Sequence, residues 1–359
     1  MNLTYEYDHK HTDNFSVELF KKFQSNIEDI MNNVYNDPIE FKLNPYKYLN
    51  FLGNGANNYI FKINENYVLR FTSPSAICDW NNSSFIEQNK SLVERELSGL
   101  NLQKKLSICN NIANIYSYGI VKISQNNTST IILYSIMDYL KGSFLNYPKN
   151  NYNPQDVKLI MKILMKTFIF LDNEGYCYSD IHPLNIMLAE INDINTLQLI
   201  DFAGVYSLFD EQKNMKNNYS STIDLWYLGI LCCSLLIGEY INTDPEQCSP
   251  MILLDITDEN LDNNKIPFMF NIQTEIIYYK SSTEDITKYY NEISNIYLKI
   301  ISIYPEFTDL LNELLGIKKH HNIISTKETN EIVRLKEKYE KILTLPIFKN
   351  NHVNRWKIW

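Results

Sequence analysis

The chain has 359 residues, of which 45% are hydrophobic and 21% are charged, and its formal net charge is -9. This length and composition suit a globular protein with a sizeable core. The negative net charge excludes a generally basic surface, so no nucleic-acid partner is expected. The N-terminal residues do not form a signal peptide, and no apolar run approaches the roughly 20 residues of a membrane-spanning helix. We therefore expect a soluble, cytoplasmic protein with no membrane span.

The N-terminal part of the chain carries no cluster of catalytic residue types. Apolar residues recur at helical spacing over residues 14–36, which predicts one amphipathic helix. Residues 1–47 are therefore predicted to be a helical extension that packs on the domain that follows.

Residues 48–72 alternate apolar and polar side chains and are broken by glycine and asparagine, which predicts three strands. The first turn contains Gly53 and Gly55, and Asn58 follows three residues later. Backbone N–H groups in such a turn can approach phosphate oxygens, because glycine carries no Cβ. An ordinary hairpin turn explains the same residues equally well.

The next elements are a helix, two strands and a second helix. Leucines on one helical face predict a helix over residues 87–106, and alternating patterns predict strands at 112–123 and 130–137. Asn153, followed by proline, is a strong N-cap for the second helix, and Gly175 is its stop signal.

Three polar side chains lie among apolar residues just after this second helix: Asp180, Asn185 and Asp201. The first two are spaced as D-x-x-x-x-N, and the third ends a predicted strand and is followed by Phe202-Ala203. This set suits phosphoryl transfer. One carboxylate accepts the proton of the attacking hydroxyl, and the carboxamide and second carboxylate hold Mg²⁺ against the phosphates.

Both motifs resemble those of the protein-kinase-like superfamily, namely the catalytic loop H-R-D-x-x-x-x-N and the metal-binding D-F-G. The resemblance implies an α+β, bilobal fold. A small antiparallel β-sheet N-lobe with one αC helix would occupy residues 48–138, and a larger, mostly helical C-lobe would occupy residues 139–345. Residues 346–359 would form a C-terminal tail.

The resemblance also implies roles for the polar residues. Asp180 and Asn185 would be catalytic, and Asn185 and Asp201 would bind Mg²⁺, with ATP as the phosphate donor. Asp224 lies in a D-x-W-x-L-G run that resembles a helix start of the family. Its carboxylate would hold the backbone of the catalytic loop by hydrogen bonds.

The nucleotide-binding residues follow from the same resemblance. Gly53, Gly55 and Asn58 match the glycine-rich loop, with asparagine at the third glycine. Arg70 stands where the family has its phosphate-binding lysine, and Glu96 would be its acidic partner. Arginine keeps the charge of lysine, but its guanidinium is larger and forked, so the exchange is not conservative. Lys62 on the neighbouring strand and Glu94 on the helix are the competitors for these two roles.

The segment after the fifth predicted strand resembles the hinge of the family. Met137 would be the gatekeeper, and the backbones of Asp138 and Leu140 would face the adenine. An apolar pocket with a few backbone polar groups is what an adenine site requires.

Several residues depart from the family pattern. Tyr178 and Ser179 replace the His-Arg before the catalytic aspartate. His182 stands where most serine/threonine kinases have a lysine, and histidine there resembles the aminoglycoside and choline phosphotransferases and also some divergent protein kinases. About twenty residues separate Asp201 from Asp224, which leaves little room for a protein-substrate platform.

Three functions therefore stay open. The first is an ATP-dependent serine/threonine protein kinase, which the D-x-W-x-L-G helix favours. The second is a small-molecule kinase of the aminoglycoside or choline type, which His182 favours. The third is a pseudokinase that serves as a nucleotide-binding scaffold, which Arg70 favours and the complete Asp180, Asn185 and Asp201 set opposes.

Overall fold

A computed structural model shows a mixed α/β fold with an antiparallel β-sheet. The structure describes residues 4–12, 21, 24–30, 32, 51–54, 58–72, 83–125, 128–143, 152–181, 183–208, 222–237, 295–315 and 336–349. Gly55 and His182 lie outside the described residues. The chain divides into two compact units. The first comprises Met1–Gly142, Met187–Ile191 and Gln198–Gly204, and the second comprises Ser143–Ile186, Asn192–Leu197 and Val205–Trp359. The predicted bounds of the lobes stay predictions.

The first unit contains a six-stranded antiparallel sheet in the order β1-β5-β6-β4-β3-β2. Its strands are β1 (Thr4–Thr12), β2 (Phe51–Asn54), β3 (Asn58–Lys62), β4 (Tyr67–Thr72), β5 (Ile115–Gln125) and β6 (Thr128–Asp138). The five strands predicted from hydrophobic alternation are β2 to β6, and all five are confirmed. One face of the sheet buries a cluster rich in aromatic residues, in which Phe61 stacks on Phe71 with ring centroids 5.2 Å apart.

β1 corrects the predicted helical extension over residues 1–47, because residues 4–12 form a strand that pairs with β5 from Thr4↔Ser124 to Thr12↔Ser117. Helical structure is present at residues 24–30. The hydroxyl of Tyr5 donates to the backbone oxygen of Glu28 at 3.2 Å, and that of Tyr7 donates to the backbone oxygen of Gln24 at 3.4 Å. The tyrosines of β1 thus attach this helical segment to the sheet.

Gly119 on β5 permits the close approach of β1. It lies opposite His9, and a Cβ at Gly119 would overlap the carbonyl oxygen of Asp8. We expect Gly119→Ala to displace β1 and to lower the free energy of unfolding by about 1–3 kcal/mol. Urea unfolding, with amide hydrogen exchange across β1, measures both effects. Gly53→Ala is the control, since a Cβ there meets no described atom within 4 Å. Unchanged exchange protection in β1 of Gly119→Ala would contradict the packing described.

The remaining elements of the first unit position its polar residues. Helix α1 (Ser83–Leu106) buries Leu100 and Leu106. Strands β7 (Gly142–Ser143), β9 (Ile186–Leu188) and β10 (Leu197–Leu199) form a three-stranded sheet in the order β10-β9-β7. β10 delivers the chain to Asp201.

The second unit is mainly helical. Helix α2 (Pro154–Asn173) begins at Asn153, whose side chain accepts from the backbone N–H groups of Gln155 and Asp156 in a capping box. The chain leaves α2 through Gly175, which has a φ of 82°, so the predicted start and stop of this helix are both confirmed.

Further helices of this unit are α3 (Thr222–Ile237), α4 (Thr308–Leu315), α5 (Lys336–Leu343) and α6 (Pro346–Lys349). Residues 295–303 are also helical. α3, α5 and α6 contact α2 directly, and α4 packs on α3. Two short strands, β8 (Tyr176–Cys177) and β11 (Tyr206–Ser207), pair beside α2. Within the part of the chain that the structure describes, no helix has both the length and the apolar character needed to cross a bilayer.

Candidate active site

Arg70 is the centre of a charged cluster in the first unit, which we call the Arg70 cluster (Asn58, Arg70, Glu96 and Asp201). Arg70 projects from β4, and its Nη2 donates to Glu96 Oε2 at 3.1 Å and to Asp201 Oδ2 at 3.2 Å. Glu96 lies on α1, whereas Asp201 follows β10. One guanidinium therefore joins the sheet, the helix and the segment after β10.

The two inner members of this cluster are shielded from water. The side chains of Arg70 and Glu96 are 9% and 8% exposed, whereas that of Asp201 is 34% exposed. Burial raises the pKa of Glu96, and the positive charge of Arg70 opposes that rise. Glu96 needs Arg70 as a counter-ion, since a buried carboxylate left unpaired is costly. The more exposed Asp201 is the carboxylate of the cluster that a ligand can reach.

The backbone at Asp201 is unusual. Its φ is 61°, in the left-handed region that few residues other than glycine enter, although aspartate and asparagine tolerate it better than most. Its Oδ1 accepts from the backbone N–H of Ala203 at 3.4 Å. This turn directs the other oxygen, Oδ2, to Arg70.

Gly99 on α1 allows the helix to lie directly on the segment after Asp201. A Cβ at Gly99 would lie 2.7 Å from the Cα and N of Ala203 and 2.8 Å from the carbonyl carbon of Phe202. No motif in the sequence marks Gly99 as a functional residue. Its position inside a strongly helical pattern is the one indication, because a glycine there lowers helix stability and is expected only where close packing requires it.

We expect Gly99→Ala to lower the free energy of unfolding by about 1–3 kcal/mol, because backbone atoms must shift to admit the methyl group. Helix propensity alone predicts a gain of about 1 kcal/mol for this change, so the sign of the effect is decisive. Urea unfolding provides the measurement. Ser98→Ala, at an exposed neighbour on the same helix, is the control and should be neutral or slightly stabilising. A stabilised Gly99→Ala variant would refute the close contact.

The second unit contains Asp180 and Asn185. The Nδ2 of Asn185 donates to the backbone oxygen of Asp180 at 3.0 Å and to its Oδ2 at 2.9 Å. Both hydrogen bonds use the amide nitrogen, so the amide oxygen of Asn185 remains available as a ligand for a hard cation. Asn185 is buried, and Asp180 is partly exposed. These two hydrogen bonds stabilise the loop between β8 and β9.

Asp224 holds the other side of that loop. Its Oδ2 accepts from the backbone N–H of Tyr178 at 3.1 Å, and its Oδ1 accepts from that of Ser179 at 2.7 Å. The thiol of Cys177 also donates to Oδ2, at 2.9 Å. Burial raises the pKa of Asp224 to about 6. The hydrogen bonds that Asp224 accepts from Tyr178 and Ser179 confirm the predicted contact of its carboxylate with the loop backbone.

Two of the residues that depart from the family pattern, Tyr178 and Ser179, have structural explanations. Tyr178 is fully buried, and its ring stacks on Phe168 of α2 with centroids 6.2 Å apart. Ser179 has a φ of 59°, a strained value for a serine, and its N–H is held by Asp224. Together they fix the backbone immediately before Asp180.

The predicted hinge residues lie in or beside an apolar cluster of the first unit. Met137 and Leu140 are buried in it, with Val68 among their neighbours. The backbone N–H of Asp138 donates to the oxygen of Asn114 at 3.3 Å. Such apolar walls suit an adenine ring, but the roles of these residues stay predictions.

The two competitors considered for the charged roles lie elsewhere. Lys62 pairs with Glu65 at 2.6 Å, and its Nζ lies 4.9 Å from the ring centroid of Tyr139. Glu94 is exposed on α1, whereas Glu96 is buried against Arg70. The structure thus brings together Arg70 and Glu96, as the sequence predicted. Gly53 lies within β2, where the pairing with β3 is irregular, and its φ is not positive. Its contact with a ligand stays a prediction.

No protein-family model matches the chain. The chain is 27% identical to the probable serine/threonine-protein kinase 2 of Plasmodium falciparum over an alignment of 136 residues, which covers 33% of the chain and 27% of that protein. It is 24% identical to the protein kinase gsk3 of Schizosaccharomyces pombe over an alignment of 173 residues, which covers 42% of the chain and 43% of that protein. It is 26% identical to glycogen synthase kinase 1 of Pyricularia oryzae over an alignment of 117 residues, which covers 28% of the chain and 29% of that protein. The chain thus spans less than half the length of these curated relatives.

Proposed function

Since the chain is related to the protein-kinase-like superfamily, we propose that it is an ATP-dependent phosphotransferase. We propose further that it is a divergent serine/threonine protein kinase, which moves the γ-phosphate of ATP to a hydroxyl group of a protein. The observation that carries the proposal is the Arg70 cluster, in which one buried cation pairs with both Glu96 and Asp201. A scaffold alone would not need a buried cation that pairs with a partly exposed carboxylate.

The proposed chemistry rests on positioned groups. Asp180 accepts the proton of the attacking hydroxyl, and Asn185 fixes its carboxylate in place. Arg70 binds phosphate oxygens, and Glu96 keeps its guanidinium in place. The amide oxygen of Asn185 and the carboxylate of Asp201 are oxygen donors that fit Mg²⁺. When bound, Mg²⁺ neutralises charge on the phosphates.

The first test needs no knowledge of the acceptor. ATP with Mg²⁺ at about 100 times the dissociation constant should raise the free energy of unfolding by about 2.7 kcal/mol, which is a rise of a few degrees in Tm. Asp201→Asn keeps the shape of the side chain and its tolerance of positive φ, and it should abolish the Mg²⁺ dependence of that rise. No rise in the wild-type protein at millimolar nucleotide would overturn the proposal and favour a scaffold that does not bind nucleotide.

The acceptor is tested separately. Radiolabelled ATP should transfer label to serine or threonine of protein or peptide substrates. Release of ADP on amino-alcohols or sugars, without labelled protein, would instead identify a small-molecule kinase. Both assays should use Asp180→Asn as the inactive reference.

A further inference from the structure

Asn58 contacts the guanidinium of Arg70 directly. It begins β3 and lies two residues before Ile60, which is the residue opposite Arg70 in the β3–β4 pairing. Residues two apart on a strand share a face, so Asn58 projects on the same side as Ile60. With its amide oxygen oriented toward Arg70, Asn58 accepts from Nη2 at 2.7 Å and from Nε at 3.3 Å. Hydrogen-bond complementarity assigns this orientation, because the opposite one places donors against donors.

The contacts with Asn58 use the edge of the guanidinium formed by Nε and Nη2, and the contacts with the two carboxylates use the other hydrogen of Nη2. Nε and Nη2 donate to Asn58, and Nη2 also donates to Glu96 and Asp201. Among the residues that the structure describes, Nη1 has no hydrogen-bond partner. Because a guanidinium is planar, fixing Nε and Nη2 also fixes the direction of the two Nη1 hydrogens.

We propose that Asn58 is a positioning residue that turns Arg70 so that its Nη1 binds the phosphate oxygens of a nucleoside di- or triphosphate. This inference rests on the proposed phosphotransferase function. The proposal also explains why this chain departs from the family pattern at both positions 58 and 70. A lysine at position 70 has a single side-chain nitrogen and no planar group to orient, so it needs no partner at position 58. An arginine has five N–H donors and needs an acceptor that a glycine at position 58 lacks.

A double-mutant cycle tests the coupling of these two residues. The variants are Asn58→Gly, Arg70→Lys and the two combined, with Mg²⁺-ADP affinity measured by calorimetry. Asn58→Gly should weaken binding about tenfold when residue 70 is arginine, as expected for loss of a hydrogen bond to a charged group. When residue 70 is lysine, the same change should alter affinity less than about twofold. Equal losses in both backgrounds would overturn the proposal.

Asn58→Leu controls for backbone freedom, since leucine fills a similar volume without an acceptor. It should weaken binding as much as Asn58→Gly does. If leucine binds as tightly as wild type, the amide is not the orienting group and the proposal fails. Urea unfolding of each variant should show that all of them remain folded.

A second measurement does not depend on nucleotide. The Nε–H of Arg70 should exchange slowly with solvent in the ligand-free protein, as followed by nitrogen-15 NMR, and at least tenfold faster in Asn58→Leu. Equal exchange rates in the two proteins would refute the pairing. Failure of the wild-type protein to bind Mg²⁺-ADP would overturn the proposed function and the phosphate role of Nη1, while the exchange rates would still decide the Asn58–Arg70 pairing.

Discussion

Replacing Asp180 by asparagine should lower kcat about 10²–10⁴-fold, the range expected when a general base is removed. Asparagine has the shape of aspartate and keeps a side-chain oxygen that can accept from Asn185, so the loop should hold its structure. It cannot take the proton of the attacking hydroxyl. KM for ATP should therefore change little, because the nucleotide contacts proposed for Arg70 and Asp201 are untouched.

Steady-state phosphate transfer at saturating ATP, together with the thermal midpoint, provides the measurement. Glu174→Gln is the matched control, since Glu174 is an exposed carboxylate at the end of α2 and has no proposed role. Its kcat should equal that of wild type. Full transfer activity in Asp180→Asn would remove Asp180 from the mechanism, and a large fall in Tm would instead show a structural role.

The second large effect concerns Asp224 and pH. Burial raises its pKa from 3.8 to about 6. The folded state thus holds the proton more tightly than the unfolded state does, and the stability gained from protonation is fully present below about pH 4. It is lost as the pH rises through about 6. A shift of about two units corresponds to about 3 kcal/mol.

The free energy of unfolding should be compared between wild type and Asp224→Asn from pH 3.5 to 7.5, the range set by the two pKa values. The wild-type value minus the variant value should fall by about 3 kcal/mol between about pH 4 and 6.5. Asp309→Asn, at an exposed position of α4, is the control for the loss of one carboxylate. A difference that rises with pH would show that the backbone donors outweigh burial at Asp224.

Above its pKa, Asp224 is a charged acceptor for the strained loop. Ionised Asp224 holds the N–H of Ser179, whose φ is 59°, directly before Asp180. Asp224→Asn should therefore also reduce kcat, because its amide cannot accept from Tyr178 and Ser179 with both side-chain atoms. Burial destabilises the ionised form of Asp224, and this same form fixes the backbone before the proposed base, Asp180.

The sequence predicted the elements whose signals are local. Hydrophobic alternation found β2 to β6, and the capping residue Asn153 with Gly175 found both ends of α2. The pairing of Arg70 with Glu96 also followed from motif order. These features depend on residues that are close in the chain or on a spacing that a known pattern supplies.

Other features depend on contacts between distant residues. β1 pairs with β5 more than a hundred residues later, and its charged outer face hid the alternation of Tyr5 and Tyr7 on the inner one. The contact of Asn58 with Arg70 depends on strand register. The positive φ values of Ser179 and Asp201 result from the surrounding hydrogen bonds, which no local propensity reveals.

The edge position of β1 has a practical consequence for anyone who shortens the protein. A fragment that starts at the first residues resembling a kinase, near position 48, would lack β1 and leave β5 as an eleven-residue unpaired edge. Exposed β-edges of that length recruit other strands and promote aggregation. Poor solubility of such a fragment would therefore reflect a lost neighbour in the sheet and would say nothing against the integrity of the Arg70 cluster.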